Sequence, residues 1–100
     1  MEAIKVTDVI EKDLNMEDAI VLRNIIENSI EDKVILDFSG LMRVPTTFLC
    51  SLLTDLINKY GRDYIASHIQ VRNLNNIADY NRVLLGTAFF DSKTMNTAFN

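Results

Sequence analysis

Cysteine, proline, histidine and tryptophan are nearly missing from this chain, whose 100 residues hold one Cys, one Pro, one His and no Trp. A single thiol, Cys50, excludes an internal disulfide framework and suits a reducing compartment. With His68 the only histidine and no second cysteine, the ligand spacings of a structural zinc site do not occur. Gly40, Gly61 and Gly86 are too dispersed to cradle a phosphate as a Gly-rich loop. No apolar run approaches the roughly 18 residues of a membrane span, and the opening MEAIKVTDVIEKD lacks the continuous apolar segment of a signal peptide. Cations are also in the minority, with 10 Lys and Arg against 14 Asp and Glu and a net charge of −4. That balance argues against nucleic acid and against an anionic membrane surface. A cytoplasmic protein with protein partners or small ligands, and with no cofactor, is the expectation.

What is present is a hydrophobic fraction of 48%, enough for one packed core in a single domain. In residues 3–10, AIKVTDVI, Ile4 and Val6 alternate with Lys5 and Thr7, the period of a half-buried strand. From Met16 to Ile30, Ala19, Leu22, Ile26 and Ile30 recur at three or four, with Ile25 on the flank. This is a helix with one buried stripe, capped by Asn15 or Asp13. Val34-Ile35-Leu36-Asp37-Phe38 is an almost unbroken apolar run, as in a central strand covered on both faces. After Pro45, the residues Leu49, Leu52, Leu53, Leu56, Ile57 and Tyr60 form one stripe over three turns, stopped by Gly61. A further strand is expected at His68–Arg72, with Ile69 and Val71 inward. Asn73, Asn75 and Asn76 then make a turn, and a third helix is marked by Ile77, Tyr80, Val83 and Leu84, running on to about Phe90.

Strand and helix therefore alternate, which predicts an α/β fold. The expected form is a mixed sheet of about four strands packed with about three to four helices. The helices lie on one face or are split between two. Residues 4–90 form the domain and 91–100 a tail that Met95 and Phe99 could pin to the body.

The most informative segment is the mouth of the helix after Pro45. A helix start carries unpaired N–H groups and partial positive charge, which a hydroxyl or a phosphate satisfies. Pro45 extends Val44, and Thr46 or Thr47 is then the natural cap. Arg43 beside them is a loop arginine that could steady a phosphate or pair with a partner's carboxylate.

An apolar strand ending near Asp37, a short turn, a hydroxyl pair and an amphipathic helix closed by Gly61 resemble the core of a STAS domain, the fold of the bacterial anti-sigma-factor antagonists. A closer likeness is to the STAS-like domains of unknown function. It is carried by Leu36-Asp37-Phe38-Ser39-Gly40, Thr46-Thr47-Phe48, Tyr60-Gly61 and Ile69-Gln70-Val71-Arg72-Asn73-Leu74. The resemblance implies a non-enzymatic regulatory module. Its partner would be a protein such as an ATPase of the histidine-kinase type or anti-sigma kinase, contacted through Arg43, Pro45, Thr46, Thr47 and Phe48. It implies Thr46 as the phosphoacceptor and Thr47 as the second hydroxyl. The chain departs from the antagonists where Pro45 replaces their Asp and Phe48 their Gly. Phe48 either fills the edge of the core or stands out as a contact.

Two other readings stay open. The same helix start could hold an anion or small ligand in a receptor or small enzyme. Alternatively, Phe89, Phe90 and the tail could form an apolar patch for a homo-dimer or larger homo-oligomer. Asp37 is expected to be a strand-end carboxylate satisfied by a turn, and Cys50 a small hydrophobe beside the core.

Overall fold

A computed structural model describes residues 1–11 and 13–86. The expected tail at 91–100, with Met95 and Phe99, lies outside the described residues, as do Phe89, Phe90 and the expected extension of the last helix.

The chain alternates as expected. Strand β1 (Glu2–Lys5) leads into a short helix α1 (Val6–Val9), then α2 (Met16–Ser29) and a 3-10 turn over Ile30–Asp32. Strand β2 (Val34–Asp37), α3 (Thr46–Tyr60), α4 (Arg62–His68), β3 (Ile69–Arg72) and α5 (Ile77–Leu85) follow. Among the described residues the sheet has three strands in the order β1-β2-β3, parallel throughout, so the mixed four-stranded expectation is one strand too many. Each neighbouring pair is joined by a helical crossover, and crossovers between parallel strands take the same, right hand. That places α2 and α3 on one face of the sheet, where α2 packs on α3 and α3 on α5.

The register fixes what each face shows. Ile4, Leu36 and Val71 are aligned across the strands, as are Val34 and Ile69. Ile4, Val34, Leu36 and Ile69 belong to the core under the helices. Ala3, Ile35 and Gln70 share the other face. Ile35 stands apart from that core although only 8% of it is exposed. The unbroken apolar run in β2 thus marks a central strand buried on both sides, with Val34 and Leu36 in the core under the helices and Ile35 outside it.

The two long helices form for the reasons their stripes suggest. In α2 the Asn15 side chain accepts from the Asp18 N–H at 2.8 Å, and Asp18 Oδ2 accepts from the Asn15 N–H at 3.3 Å, a reciprocal capping box. Ala19, Leu22 and Ile26 are fully buried. In α3, Leu49, Leu52, Leu53 and Leu56 are fully buried, each worth about 1.5–3 kcal/mol of transfer free energy. Ion pairs Arg23–Asp55 (2.6 Å) and Lys59–Glu27 (2.7 Å) stitch the solvent side of the α2–α3 seam. The Lys59 hydrogen bond holds the Glu27 carboxyl below its usual range.

Two boundaries differ from the sequence expectation. The first strand ends at Lys5 because Val6, fully buried, turns the chain into α1. Gly61, with φ +88°, stops α3 and also starts α4, a helix anchored by Ile65 that takes in His68, so β3 starts at Ile69 where a strand from His68 was expected.

Candidate functional site

Three segments meet at the carboxyl ends of the strands: the loop after β2, the start of α3, and the stretch from β3 into α5. Asp37 closes the strand end. Its Oδ1 accepts from the Ser39 N–H at 2.9 Å and from Asn73 Nδ2 at 2.8 Å. These bonds, Asn73 foremost, hold its carboxyl below the usual aspartate range. Asp37 is therefore the turn-satisfied carboxylate expected from the sequence. Gly40 follows with φ +88°, a conformation that favours glycine.

The rest of the loop is tied down by asparagine side chains 32 or 33 residues away. Asn75 Nδ2 donates to the Met42 carbonyl at 2.6 Å. Asn76 grips both polar groups of Val44, accepting from its N–H at 3.1 Å and donating to its carbonyl at 2.6 Å. Val44 is fully buried, so without Asn76 its N–H and carbonyl would face a dry interior. Asn76 Nδ2 also reaches Asp79 Oδ2 at 3.0 Å.

Asp79 is the hub of this side. Its side chain is 10% exposed and pairs with Arg43 at 3.1 Å and with Arg82 one turn on. The Asn76 hydrogen bond, then Arg82, holds its carboxyl below the usual range. Arg43 is consequently paired with a carboxylate of its own chain, while 69% of its side chain remains exposed.

The helix start itself departs from expectation. Pro45 occupies the N-cap position, with φ −58° and ψ 142°, and no side chain caps the helix. Thr46 and Thr47 are the first two helical residues and neither acts as a cap. The reason lies in the chain geometry: proline pre-sets the extended-to-helical transition, placing both hydroxyls beyond the cap position. Thr47 is exposed and Thr46 half-buried. Phe48 is 2% exposed and belongs to the core, which is the filling role rather than the outward one. The outward surface is thus Met42, 87% exposed, with Arg43, Pro45 and Thr47, and Thr46 at its inner edge.

Beside Thr47 a shallow groove of about 210 Å³ opens between α3 and the residues leading into α2, with Leu14, Met16 and Ser51 on its walls. It shares Met16 and Ser51 with a second groove of about 340 Å³ that continues along the α2–α3 seam past Ile20 and Cys50. Cys50 is half-buried there, and burial pushes its thiol above the usual range, as fits a small hydrophobe.

His68 lies at the opposite end of α3's continuation, stacked on Tyr64 at 3.8 Å, which stacks on Tyr60 at 5.1 Å. Its Nδ1 is 2.8 Å from the Tyr64 carbonyl and from Ser67 Oγ. Among the described residues no group of three or more His, Cys, Asp or Glu side chains could hold a metal ion. No helix among them is long and apolar enough to cross a membrane.

The structure brings Arg43, Pro45, Thr46 and Thr47 together and adds Met42, Asn75, Asn76 and Asp79, which sequence reasoning did not assign to the site. The Asn cluster at 73–76 was the available signal. Three carboxamides in four residues exceed what one turn needs, and the surplus donors serve a neighbouring loop.

A model of the STAS-like domain of unknown function matches residues 18–78, more than half of the chain. The matched span begins in α2 and ends in α5, so it contains the loop, the helix start and the asparagines that fix them. No curated protein and no solved structure gives a significant match.

Proposed function

Because the chain belongs to the STAS-like domains of unknown function, we propose that it is a non-enzymatic regulatory module that binds a protein partner through the surface formed by Met42, Arg43, Pro45, Thr46 and Thr47. The observation that carries this reading is the combination of exposure and fixation in one segment. Met42 is 87% exposed, yet its carbonyl is bonded to Asn75 and the next-but-one residue is gripped by Asn76. A surface held in this way loses little conformational freedom when a partner docks, so more of the contact energy appears as affinity. The adjoining grooves offer apolar surface at Met16 to the same partner.

The kind of partner follows from the likeness to the anti-sigma-factor antagonists: an ATPase of the histidine-kinase type. Threonine phosphorylation is the switch that likeness suggests. Phosphate on either hydroxyl would sit in the first turn of α3, where the helix dipole favours negative charge and the first turn holds no acidic residue. Thr47 presents the more accessible hydroxyl and Thr46 is the position matched by the motif.

Affinity capture of the tagged chain from its native lysate, read by mass spectrometry, tests the reading. The expected result is an enriched ATPase of that type, with phosphate on Thr46 or Thr47 in part of the population. Absence of any specific partner together with bare threonines would overturn it.

The second reading, an anion or small-ligand site, has one observation in its favour: no side chain caps the start of α3. A thermal-shift screen of phosphate, nucleotides and phosphorylated metabolites decides it. A saturable rise in Tm supports that reading, and no shift with any of them removes it.

A further inference from the structure

We infer that α5 is a detachable clamp whose docking sets the form of the 42–47 surface. The inference takes that surface as the contact site proposed above, but its test needs no partner.

Two independent features meet in α5. The first is the small size of its anchor. The helix spans nine residues and buries Tyr80 and Val83 as apolar side chains, with Leu84 partly buried against the core, whereas the fifteen residues of α3 bury six. Ile77 and Leu85 at its ends are 42% and 68% exposed. Tyr80 is itself only 4% exposed, yet its hydroxyl has no hydrogen-bond partner among the described residues. A buried hydroxyl without a partner is a penalty of the docked state, and it disappears as soon as the helix lifts and the group meets water. Burial also pushes the Tyr80 phenol upward, so it stays neutral in the docked helix. Elements with few buried contacts and such a penalty open locally at lower free energy than the core.

The second feature is what α5 and its approach hold. The carboxamides of Asn75 and Asn76 and the carboxylate of Asp79 bind Met42, Val44 and Arg43 respectively. The far end of α5 is tethered by Arg62, whose Nε–H donates to the Leu84 carbonyl at 2.9 Å. When α5 lifts, the loop loses all three of its side-chain partners at 42–44 together. The contact surface therefore exists in a clamped form and a released form, and a partner that prefers one of them shifts the balance toward it.

The Val44 N–H is a reporter built into this arrangement, because its acceptor is Asn76 Oδ1. Amide exchange on the full chain, followed residue by residue by NMR, reads it. The clamp predicts that Val44 exchanges with the same opening free energy as Val83 and Leu84 in α5. All three should exchange at least about tenfold faster than Leu52 and Leu53 in α3. Tyr80→Phe, which removes the unpartnered hydroxyl, should slow Val44, Val83 and Leu84 in step by about tenfold. Val83→Ala should speed all three in step.

A Val44 rate that ignores either substitution while α5 responds would overturn the coupling. An unchanged or faster α5 in Tyr80→Phe would overturn the penalty, as expected if a buried water already serves the hydroxyl. A failed partner capture would leave this exchange pattern intact, so the two claims fail separately.

Discussion

The Asn76 side chain bonds both backbone polar groups of Val44, at 3.1 Å and 2.6 Å, in the way a neighbouring strand would. It is the contact that fixes the residue between exposed Arg43 and the helix-opening Pro45. The loop is thereby given a partner without being part of the sheet.

Asn76→Ala should accordingly cost about 2 kcal/mol, since it strands a buried N–H and a buried carbonyl. Asn75→Ala, whose bond to the Met42 carbonyl is solvent-exposed, should cost less than about 1 kcal/mol. Urea unfolding with an unchanged slope checks both. Equal costs would show that Val44 finds another partner.

Phe48 separates packing from contact. Phe48→Ala should destabilise the fold by about 3–5 kcal/mol, and Phe48→Leu by less than half as much. Thermal unfolding of the two variants checks this. A near-neutral Phe48→Ala would return the side chain to the surface.

The capping box of α2 is well placed for a clean test, because Asn15 and its partner bonds are exposed. Asn15→Ala should cost about 1 kcal/mol and lower Tm by about 4–8 °C. Asn15→Ser should recover most of the loss.

Acid sensitivity follows from the carboxylates with depressed folded-state pKa values. Asp37 and Asp79 are both held below the ordinary aspartate value of 3.8 by hydrogen bonds and ion pairs of the fold. Their contribution to stability is complete above that value and is lost as pH falls through the lower folded pKa. The urea midpoint should therefore drop as pH falls from about 5 to below 3. Asp79→Asn should be less stable at neutral pH and show a shallower acid decline. An identical decline in that variant would remove Asp79 from the account.

Much of the architecture was legible because it rests on local periodicity. The Leu49–Tyr60 stripe, the Ala19–Ile30 stripe and the apolar run of β2 each declare their element within one window, and Asn15 declares its cap. Helix α4 did not, because seven residues with one buried isoleucine carry no readable period. The end of β1 at Lys5 was hidden for a related reason: Val6 is as apolar and buried in the turn as it would be in a strand. The site was half legible. Pro45, Thr46, Thr47 and Arg43 are contiguous and could be read together, whereas Asn76 and Asp79 act on partners 32 and 36 residues away. Such bonds are products of the crossover between β2 and β3. Pro45 misled in the other direction, since it took the cap position that hydroxyls usually hold.

The central claim is that a protein partner reads the 42–47 surface, and parallel affinity capture with wild type, Thr46→Asp and Thr47→Asp tests it most directly. An aspartate in the first turn of α3 favours the helix by about 0.3–1 kcal/mol, so both variants should stay folded, as circular dichroism and Tm will show. The account predicts that the partner recovered by the wild-type chain is lost or reduced at least about tenfold, a difference of about 1.4 kcal/mol, with one or both variants. Equal recovery by all three chains, with unchanged folds, would contradict it.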